Sequence, residues 1–212
     1  MTKSNTMYPA FQVLSGKRVI LGSTSSSRIS IFTQLGLDYE LLSSNFEEDY
    51  DKAAFKTPLA YCAATCAKKA EIVLEMSSGT ASLIVCADTI ISCNGVIYEK
   101  PMDRADAVRI LSELGGNTIE VITAVSFYYR TAAGYQHCAF EDVTLMHMLP
   151  YDDKMIAAYL DTGEGMSYSG ALSYQGAGFL LVKGINGCFY NLRGFPAPRF
   201  YQEYAKIAHL IV

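Results

Sequence analysis

The order of hydrophobic and polar residues predicts a chain in which strands and helices alternate. Short apolar runs at 17–21 and 83–86 are typical of buried strands. Apolar residues recur at helical spacing over 29–35 and 103–114, so an amphipathic helix is expected in each segment. A longer amphipathic helix is predicted over 58–76. Helices mixed with strands along the whole chain indicate the α/β class.

The second half of the chain is rich in β-forming residues. Segments 118–131 and 135–149 are separated only by Ala132-Ala133-Gly134, which predicts one long antiparallel hairpin. The pairs Asn94-Gly95 and Asn186-Gly187 are strong hairpin signals, so a shorter hairpin is expected at each. Long hairpins beside strand–helix alternation favour a mixed sheet over a purely parallel one. A short strand is also predicted at 39–42, and helices over 152–160 and 197–210.

Segments without regular periodicity complete the organisation. Residues 44–56 are acidic and polar and are expected to form a loop, and 162–178 are glycine-rich, which is typical of a structured loop that carries function. Residues 1–16 are predicted to be a loose N-terminal tail, followed by a single domain over 17–212.

Composition excludes several classes of protein. Half of the residues are hydrophobic and 18% are charged, but no apolar run reaches the eighteen or so residues of a membrane span. The net charge of −4 argues against a surface that coats nucleic acid. The N-terminus lacks the apolar core of a signal peptide and the cysteines are scattered, so we expect a cytoplasmic protein with reduced thiols. Cys62 and Cys66 lie at i,i+4 spacing, which fits core packing or, alternatively, a redox or zinc module.

The stretch LGSTSSSR places small hydroxyl side chains between a predicted strand and a predicted helix. Helix N-termini offer free backbone N–H groups and the positive end of a dipole, so this turn is suited to an anion. Arg28, in the first helical turn, would add a fork of charged donors. The alternative is that one serine only caps the helix.

Three further segments carry candidate chemistry. Asp88 follows a buried apolar strand, where an unpaired carboxylate is costly, so pairing, metal binding or a turn at the edge is expected. Lys100 lies before Pro101 and after the hairpin that leads away from Asp88, which favours proximity to Asp88, although single lysines are usually solvated. Gln175 lies among small residues and is able to bond a base or sugar, or simply to form a tight turn.

The acidic run Glu47-Glu48-Asp49 has the oxygen ligands that a hard divalent cation takes. Charge runs are also common on solvated loops, and that interpretation stands beside the metal site.

Taken in order, these segments resemble the Maf family of nucleoside triphosphate pyrophosphatases. The family's LASxSPRR motif is similar to LGSTSSSR, its ADT to CADT, its GKP to EKP, and its LSGRTHEVxTxV to LGGNTIEVITAV. Its IQG is similar to YQG, and its YNVVGLP to YNLRGFP, so the likeness covers nearly everything after residue 17. The matching residues are Ser23, Ser25, Arg28, Glu47, Glu48, Lys69, Asp88, Thr89, Lys100, Thr118, Glu120 and Gln175.

The resemblance implies an elongated, twisted mixed sheet flanked by helices, with two lobes around a central cleft. It implies hydrolysis of a nucleoside triphosphate to the monophosphate and pyrophosphate. Asp88, helped by Mg²⁺ or Mn²⁺ bound with Glu48, would be the base, and Lys69 and Lys100 would assist catalysis. The residues implied to bind the substrate are Ser23, Ser25, Ser27, Arg28, Thr89 and Gln175.

This chain departs from the family motifs at several places. Ser26 and Ser27 replace a proline and an arginine that is associated with substrate choice, and DKAGAYGIQG becomes SYSGALSYQG. The preferred base is therefore open among dTTP or UTP, a methylated pyrimidine and 7-methyl-GTP. A nucleotide-binding cell-division regulator with little turnover is the alternative function. A homodimer is also expected, from the many tyrosines.

Overall fold

A computed structural model describes residues 8–212. It contains seven strands and six α-helices within that range. The strands are β1 (Val19–Gly22), β2 (Glu40–Leu41), β3 (Leu83–Cys93), β4 (Val96–Tyr98), β5 (Thr118–Thr131), β6 (Gly134–Met148) and β7 (Val182–Asn186). The helices are α1 (Ser26–Gln34), α2 (Pro58–Met76), α3 (Arg104–Leu114), α4 (Asp153–Leu160), α5 (Phe189–Leu192) and α6 (Ala197–Ile207). None of these helices is both long and apolar enough to cross a membrane.

All seven strands form one mixed sheet, in the order β2-β1-β3-β5-β6-β7, with β4 paired to β3. β1 runs parallel to β2 and to β3, whereas the pairs β3–β5, β5–β6 and β6–β7 are antiparallel. The hairpin of β5 and β6 is the long one predicted at 118–149. The mixed α/β class and the twisted sheet flanked by helices are confirmed.

Alternate residues of β3 face opposite layers, as the two-residue period of a strand requires. On one face, Ile84 and Cys86 pack with Ala70 and Val73 of α2. On the opposite face, α1 and α6 cover one end of the sheet, and α3 and α4 cover the other. These two ends are the lobes that the family resemblance implies.

The sheet has an opening between the lobes, on one edge of β3. β1 pairs with residues 83–86 of β3, and β4 pairs with residues 91–93. Within the described part of the chain, no strand pairs with residues 87–90 on this side. The other edge stays paired with β5 throughout 83–92. Asp88 and Thr89 therefore lie in the middle of a firmly held strand, at a gap on its open edge.

This position corrects the expectation that Asp88 lies at a strand end. β3 continues to Cys93 because its ladder with β5 is unbroken, and it is the neighbouring strand β1 that ends at this point.

The hairpin predicted at Asn186-Gly187 is also wrong. After Gly187 the chain enters the helical turn α5, because the buried amide of Asn191 donates to the carbonyl oxygens of Val121 (2.8 Å) and Asp142 (3.3 Å). These bonds draw residues 189–192 onto the sheet.

Part of the expected tail is folded. Residues 1–7 lie outside the described residues, but Pro9–Leu14 form a 3₁₀ helix. Phe11 and Leu14 of this helix are buried in the same core as Phe200 and Tyr204 of α6. Apolar burial is the main reason why this segment is ordered, and one long hydrogen bond from the backbone N–H of Ala10 to the hydroxyl of Tyr201 (3.4 Å) supports it.

Candidate active site

A cavity of about 580 Å³ lies at the opening beside β3. Its wall contains every site residue predicted from the sequence: Ser23, Ser25, Ser27, Arg28, Glu48, Lys69, Asp88, Thr89, Lys100 and Gln175. The serine-rich turn and the carboxylate of Asp88 therefore line one cleft, although they are more than sixty residues apart in the chain.

The serine-rich turn leads directly from β1 into α1. Ser25 occupies the N-cap position, but its side chain makes no capping bond. The hydroxyl of Ser23 instead accepts a bond from the backbone N–H of Ser25 (3.1 Å). Capping by Ser25 does not explain this run of serines, and the first N–H groups of α1 keep their capacity to bind an anion.

Arg28 is held in the cavity wall by hydrogen bonds to Gly194, Thr89 and, at 3.5 Å, the hydroxyl of Ser23. Its Nε donates to the carbonyl oxygen of Gly194 (2.7 Å), and its Nη2 donates to Oγ1 of Thr89 (2.8 Å). Thr89 Oγ1 also shares a hydrogen bond with Thr123 (2.9 Å). Thr89 thus orients Arg28, whereas the resemblance implies that Thr89 binds the substrate directly. The guanidinium is fixed in place before any substrate arrives.

Asp88 and Lys69 form a buried ion pair at the opening of the sheet. Lys69 Nζ lies 2.6 Å from Asp88 Oδ1 and 2.5 Å from Glu48 Oε1. Burial lowers the pKa of Lys69, but the attraction of Asp88 and Glu48 outweighs it, so the net pKa is raised and the ammonium stays charged. The second oxygen of Asp88, Oδ2, is buried and has no hydrogen-bond partner within the part of the chain that the structure describes.

Lys100 and Gln175 are exposed in the cavity wall. The segment before Lys100 is anchored, because the backbone N–H of Gly170 donates to the carbonyl oxygen of Glu99 (2.9 Å) and Lys52 pairs with the Glu99 carboxylate (2.8 Å). Both side chains are free to contact a ligand that enters the cavity.

Residues 18–207 match a family model described as "Maf-like protein". The chain belongs to the Maf family. This result confirms the resemblance inferred from the motifs.

Several relatives extend the comparison. The chain is 32% identical over 207 residues to a Homo sapiens protein named "Probable bifunctional dTTP/UTP pyrophosphatase/methyltransferase protein", covering 94% of this chain and 33% of that protein. It is 31% identical over 188 residues to a "dTTP/UTP pyrophosphatase" of Clostridium perfringens, covering 87% of this chain and 94% of the relative. A protein of the same name from Geobacter sulfurreducens is 32% identical over 193 residues, with coverages of 91% and 98%. The chain thus spans about a third of the human relative and nearly all of the bacterial ones.

The cysteines of this Maf protein do not form a redox or zinc module. Cys62 and Cys66 are buried, and their thiols contact backbone carbonyl oxygens of Asp88 (3.4 Å) and Cys86 (3.6 Å). Burial raises the pKa of both thiols, which removes the thiolate that metal binding or redox chemistry needs. That alternative is wrong, and the core-packing interpretation holds.

Two carboxylates of this Maf site, those of Asp88 and Glu48, provide part of the ligand set of a divalent cation. Among residues 8–212, no group of three or more His, Cys, Asp or Glu side chains is arranged to hold a metal. Asp88 and Glu48 converge on one ammonium, however, and Asp88 Oδ2 is an unused buried oxygen. Mg²⁺ is commonly held by one or two carboxylates together with substrate phosphates and water, so this donor set fits it.

Tyr174 and Arg193 are among the residues of the cavity wall that were not predicted from the sequence. They lie within the segments YQG and YNLRGFP, at positions where the family motifs carry aliphatic residues. The presence of a polar residue where the family motif has an aliphatic one could have identified both residues as candidates.

Proposed function

We propose that this chain is a nucleoside triphosphate pyrophosphatase, which cleaves its substrate between the α and β phosphates. The observation that carries the proposal is the buried carboxylate of Asp88, ion-paired with Lys69, in the cavity where α1 begins. Names of relatives support the same reaction, since those cited above are called dTTP/UTP pyrophosphatases. For the same reason, dTTP and UTP are the first substrates to test.

The polyphosphate would bind along the side of the cavity built from α1. The N–H groups and hydroxyls of residues 23–27 donate to phosphate oxygens, and Arg28 adds charged donors in a fixed orientation. Lys100, exposed in the wall of the same cavity, would neutralise charge that develops on the leaving pyrophosphate. A cavity with these groups favours a highly charged anion over a neutral ligand.

Asp88 would take the proton from the attacking water. The oxygen of that water forms a bond to the α phosphorus, the bond from this phosphorus to the α–β bridging oxygen breaks, and pyrophosphate leaves. Asp88 Oδ2 is the acceptor, because it has no other partner. Lys69 holds the opposite carboxylate oxygen and keeps Asp88 oriented.

Asp88, through the oxygen that now faces Lys69, and Glu48 would hold Mg²⁺ or Mn²⁺, which leaves Oδ2 of Asp88 to accept the proton. When bound, the cation supplies charge neutralisation on the phosphates and a lowered pKa for bound water. The Lys69 ammonium lies between the same two carboxylates that would hold the cation. When the cation and the polyphosphate bind, Lys69 must therefore either share these oxygens with the cation or move away from them.

Replacement of Asp88 by Asn tests the proposal. We expect the release of pyrophosphate from UTP or dTTP to fall by more than about a hundredfold, the scale of general-base catalysis, while nucleotide binding persists. Asp49→Asn is the matched control, because Asp49 is exposed and lies outside the cavity wall. Turnover of Asp88→Asn equal to that of the control would refute the role of Asp88.

The same assay separates this proposal from the alternative of a regulator with little turnover, which the names of the relatives do not favour.

A cytoplasmic location and a homodimer complete the proposal. All six cysteines are free thiols, which fits a reducing compartment. Exposed aromatic residues such as Tyr168, 41% exposed, fit an interface, and sedimentation of the purified protein measures the oligomeric state.

A further inference from the structure

Besides Oδ2 of Asp88, two buried polar atoms in the cavity wall have no hydrogen-bond partner among residues 8–212: Oη of Tyr174 and Nε of Arg193. An unsatisfied buried donor or acceptor is costly, so such atoms call for an explanation. Both belong to residues that the proposed catalytic steps do not use. Their shared location indicates a place where a ligand completes the hydrogen bonds.

The backbone fixes Arg193 at the edge of the cavity. It follows Asn191, which is pinned to the sheet by hydrogen bonds, and it precedes Phe195, which is fully buried. The guanidinium lies over the ring of Tyr190, with 5.7 Å between its carbon and the ring centroid. Its other directed contact is a long hydrogen bond from Nη2 to the hydroxyl of Ser30 (3.3 Å). Most of its donors are therefore free for a ligand.

The surroundings of Arg193 suit a nucleoside base better than a phosphate. Aromatic rings lie in a row beside it, with centroid distances of 6.1 Å for Tyr174–Phe189 and 5.9 Å for Phe189–Tyr190. Burial raises the pKa of the Tyr174 phenol, and the charge of Arg193 opposes that rise. Gln175, the predicted nucleoside contact, is the next residue to Tyr174. Arg28, Lys69 and Lys100 already provide positive charge for the phosphates.

Both residues are departures of this chain from the family motifs. Tyr174 replaces the isoleucine of IQG, and Arg193 replaces the second valine of YNVVGLP. The same chain has Ser27 where the motif has an arginine. One guanidinium is lost from α1, and another is gained on the loop that faces α1 through Ser30.

We propose that Arg193 and Tyr174 form a subsite that selects keto pyrimidines, uracil and thymine, over cytosine. The inference rests on the proposed function of the same cavity. Arginine has only donors, so it matches a base carbonyl oxygen, and a tyrosine hydroxyl is able to accept the N3–H beside that carbonyl. Cytosine presents an amino donor and an N3 acceptor at these positions, so a donor would face the donors of Arg193. A site built on such bonds rejects the mismatched base.

The test is direct binding, by calorimetry, of uridine monophosphate and cytidine monophosphate to the intact protein. We expect the wild type to favour the uridine nucleotide by about tenfold or more, the scale of a hydrogen bond to a charged group. Arg193→Met should lower the affinity for the uridine nucleotide by about tenfold to a hundredfold and leave that for the cytidine nucleotide nearly unchanged. Tyr174→Phe should lower the affinity for the uridine nucleotide by a smaller factor than Arg193→Met does, because a neutral bond is lost.

Arg199→Met is the matched control. Arg199 also lies over an aromatic ring, that of Phe140 at 4.9 Å, but it is outside the cavity wall. We expect this variant to bind both nucleotides as the wild type does. Equal losses for the two nucleotides in Arg193→Met would overturn the subsite, since they indicate a phosphate contact or a packing role. The absence of a preference in the wild type, or of any binding, would overturn it as well.

A separate measurement of pyrophosphate release from UTP distinguishes this inference from the proposed function. If UTP is not hydrolysed but Arg193→Met removes the preference in binding, the proposed reaction fails and the subsite stands. If UTP is hydrolysed and the preference survives the substitution, the subsite fails and the reaction stands.

Discussion

Replacing Lys69 by Met removes the one side chain that pairs with both carboxylates of the proposed metal site. The substitution keeps a long unbranched side chain and the helix propensity of α2. It leaves Asp88, whose side chain is 6% exposed, without the ammonium at 2.6 Å. Glu48 also loses its partner, but its side chain is 46% exposed, so water compensates most of that loss.

The expected cost follows from this difference in burial. With an effective dielectric constant of 20, two unit charges 2.6 Å apart attract by about 6 kcal/mol, and the desolvation of both groups offsets part of that. Breaking a buried pair typically costs ~3–5 kcal/mol. We expect about 3 kcal/mol here, because Asp88 borders a cavity that water can enter.

The free energy of unfolding in urea is the measurement, for Lys69→Met, Asp88→Asn and the double variant. A coupling of about 2 kcal/mol is expected, since the double variant no longer buries an unpaired charge. Lys68→Met is the matched control: Lys68 is the next residue on α2, 44% exposed, and its ion pair with Glu71 spans 3.6 Å. An unfolding free energy of Lys69→Met within about 0.5 kcal/mol of this control, or strict additivity with Asp88→Asn, would refute the reasoning.

The contribution of Lys69 to the free energy of unfolding changes with pH in a defined direction. The pKa of Lys69 is raised above 10.5, so its charge contributes stability fully below about pH 10.5 and loses it as pH rises through the higher folded value. The difference between the wild type and Lys69→Met should therefore stay constant from about pH 7 to pH 9.

Two further predictions concern parts of the fold outside the ion pair. Asn191→Ala should lower the unfolding free energy by about 2–3 kcal/mol, because the NH₂ group of its buried amide lies within hydrogen-bond distance of three acceptors, whereas Asn186→Ala, at the exposed end of β7, should change it by less than about 0.5 kcal/mol. Equal effects would show that the amide does not anchor α5. In the folded protein at pH 8, a thiol reagent should modify the partly exposed Cys188 and spare Cys62 and Cys66, whose pKa burial raises. Mass spectrometry locates the label, and rapid labelling of Cys62 would contradict the packing described.

Local signals account for most of the elements that the sequence predicted. The bounds of α2 match at Pro58 and Met76 because proline starts the helix and Thr57 accepts a capping bond from Ala60. Asp103 and Asp152 cap α3 and α4 in the same way, as their spacing before apolar periodicity indicates.

Features that depend on contacts distant in sequence were less predictable. The length of β3 is set by its ladder with β5, and a strand that continues through a buried Asp is unexpected from local pattern. The failed hairpin at Asn186-Gly187 shows the same limit, since three bonds made by Asn191 to β5 and β6 override a strong turn signal. Arg193 was missed because nothing near it in sequence shows that its loop returns to α1.

The unbroken pairing of β3 with β5 across the opening has a consequence for how this protein can change its selectivity. A single sheet carries Asp88 from one lobe to the other, so the lobes cannot rotate about the cleft as hinged domains do without breaking that ladder. Adaptation to different bases must then come from the loops that surround the cavity, chiefly residues 166–175 and 193, while the sheet formed by β3 and β5 stays unchanged. An engineer could redesign those loops to accept damaged or modified bases and leave the bond-cleaving apparatus untouched.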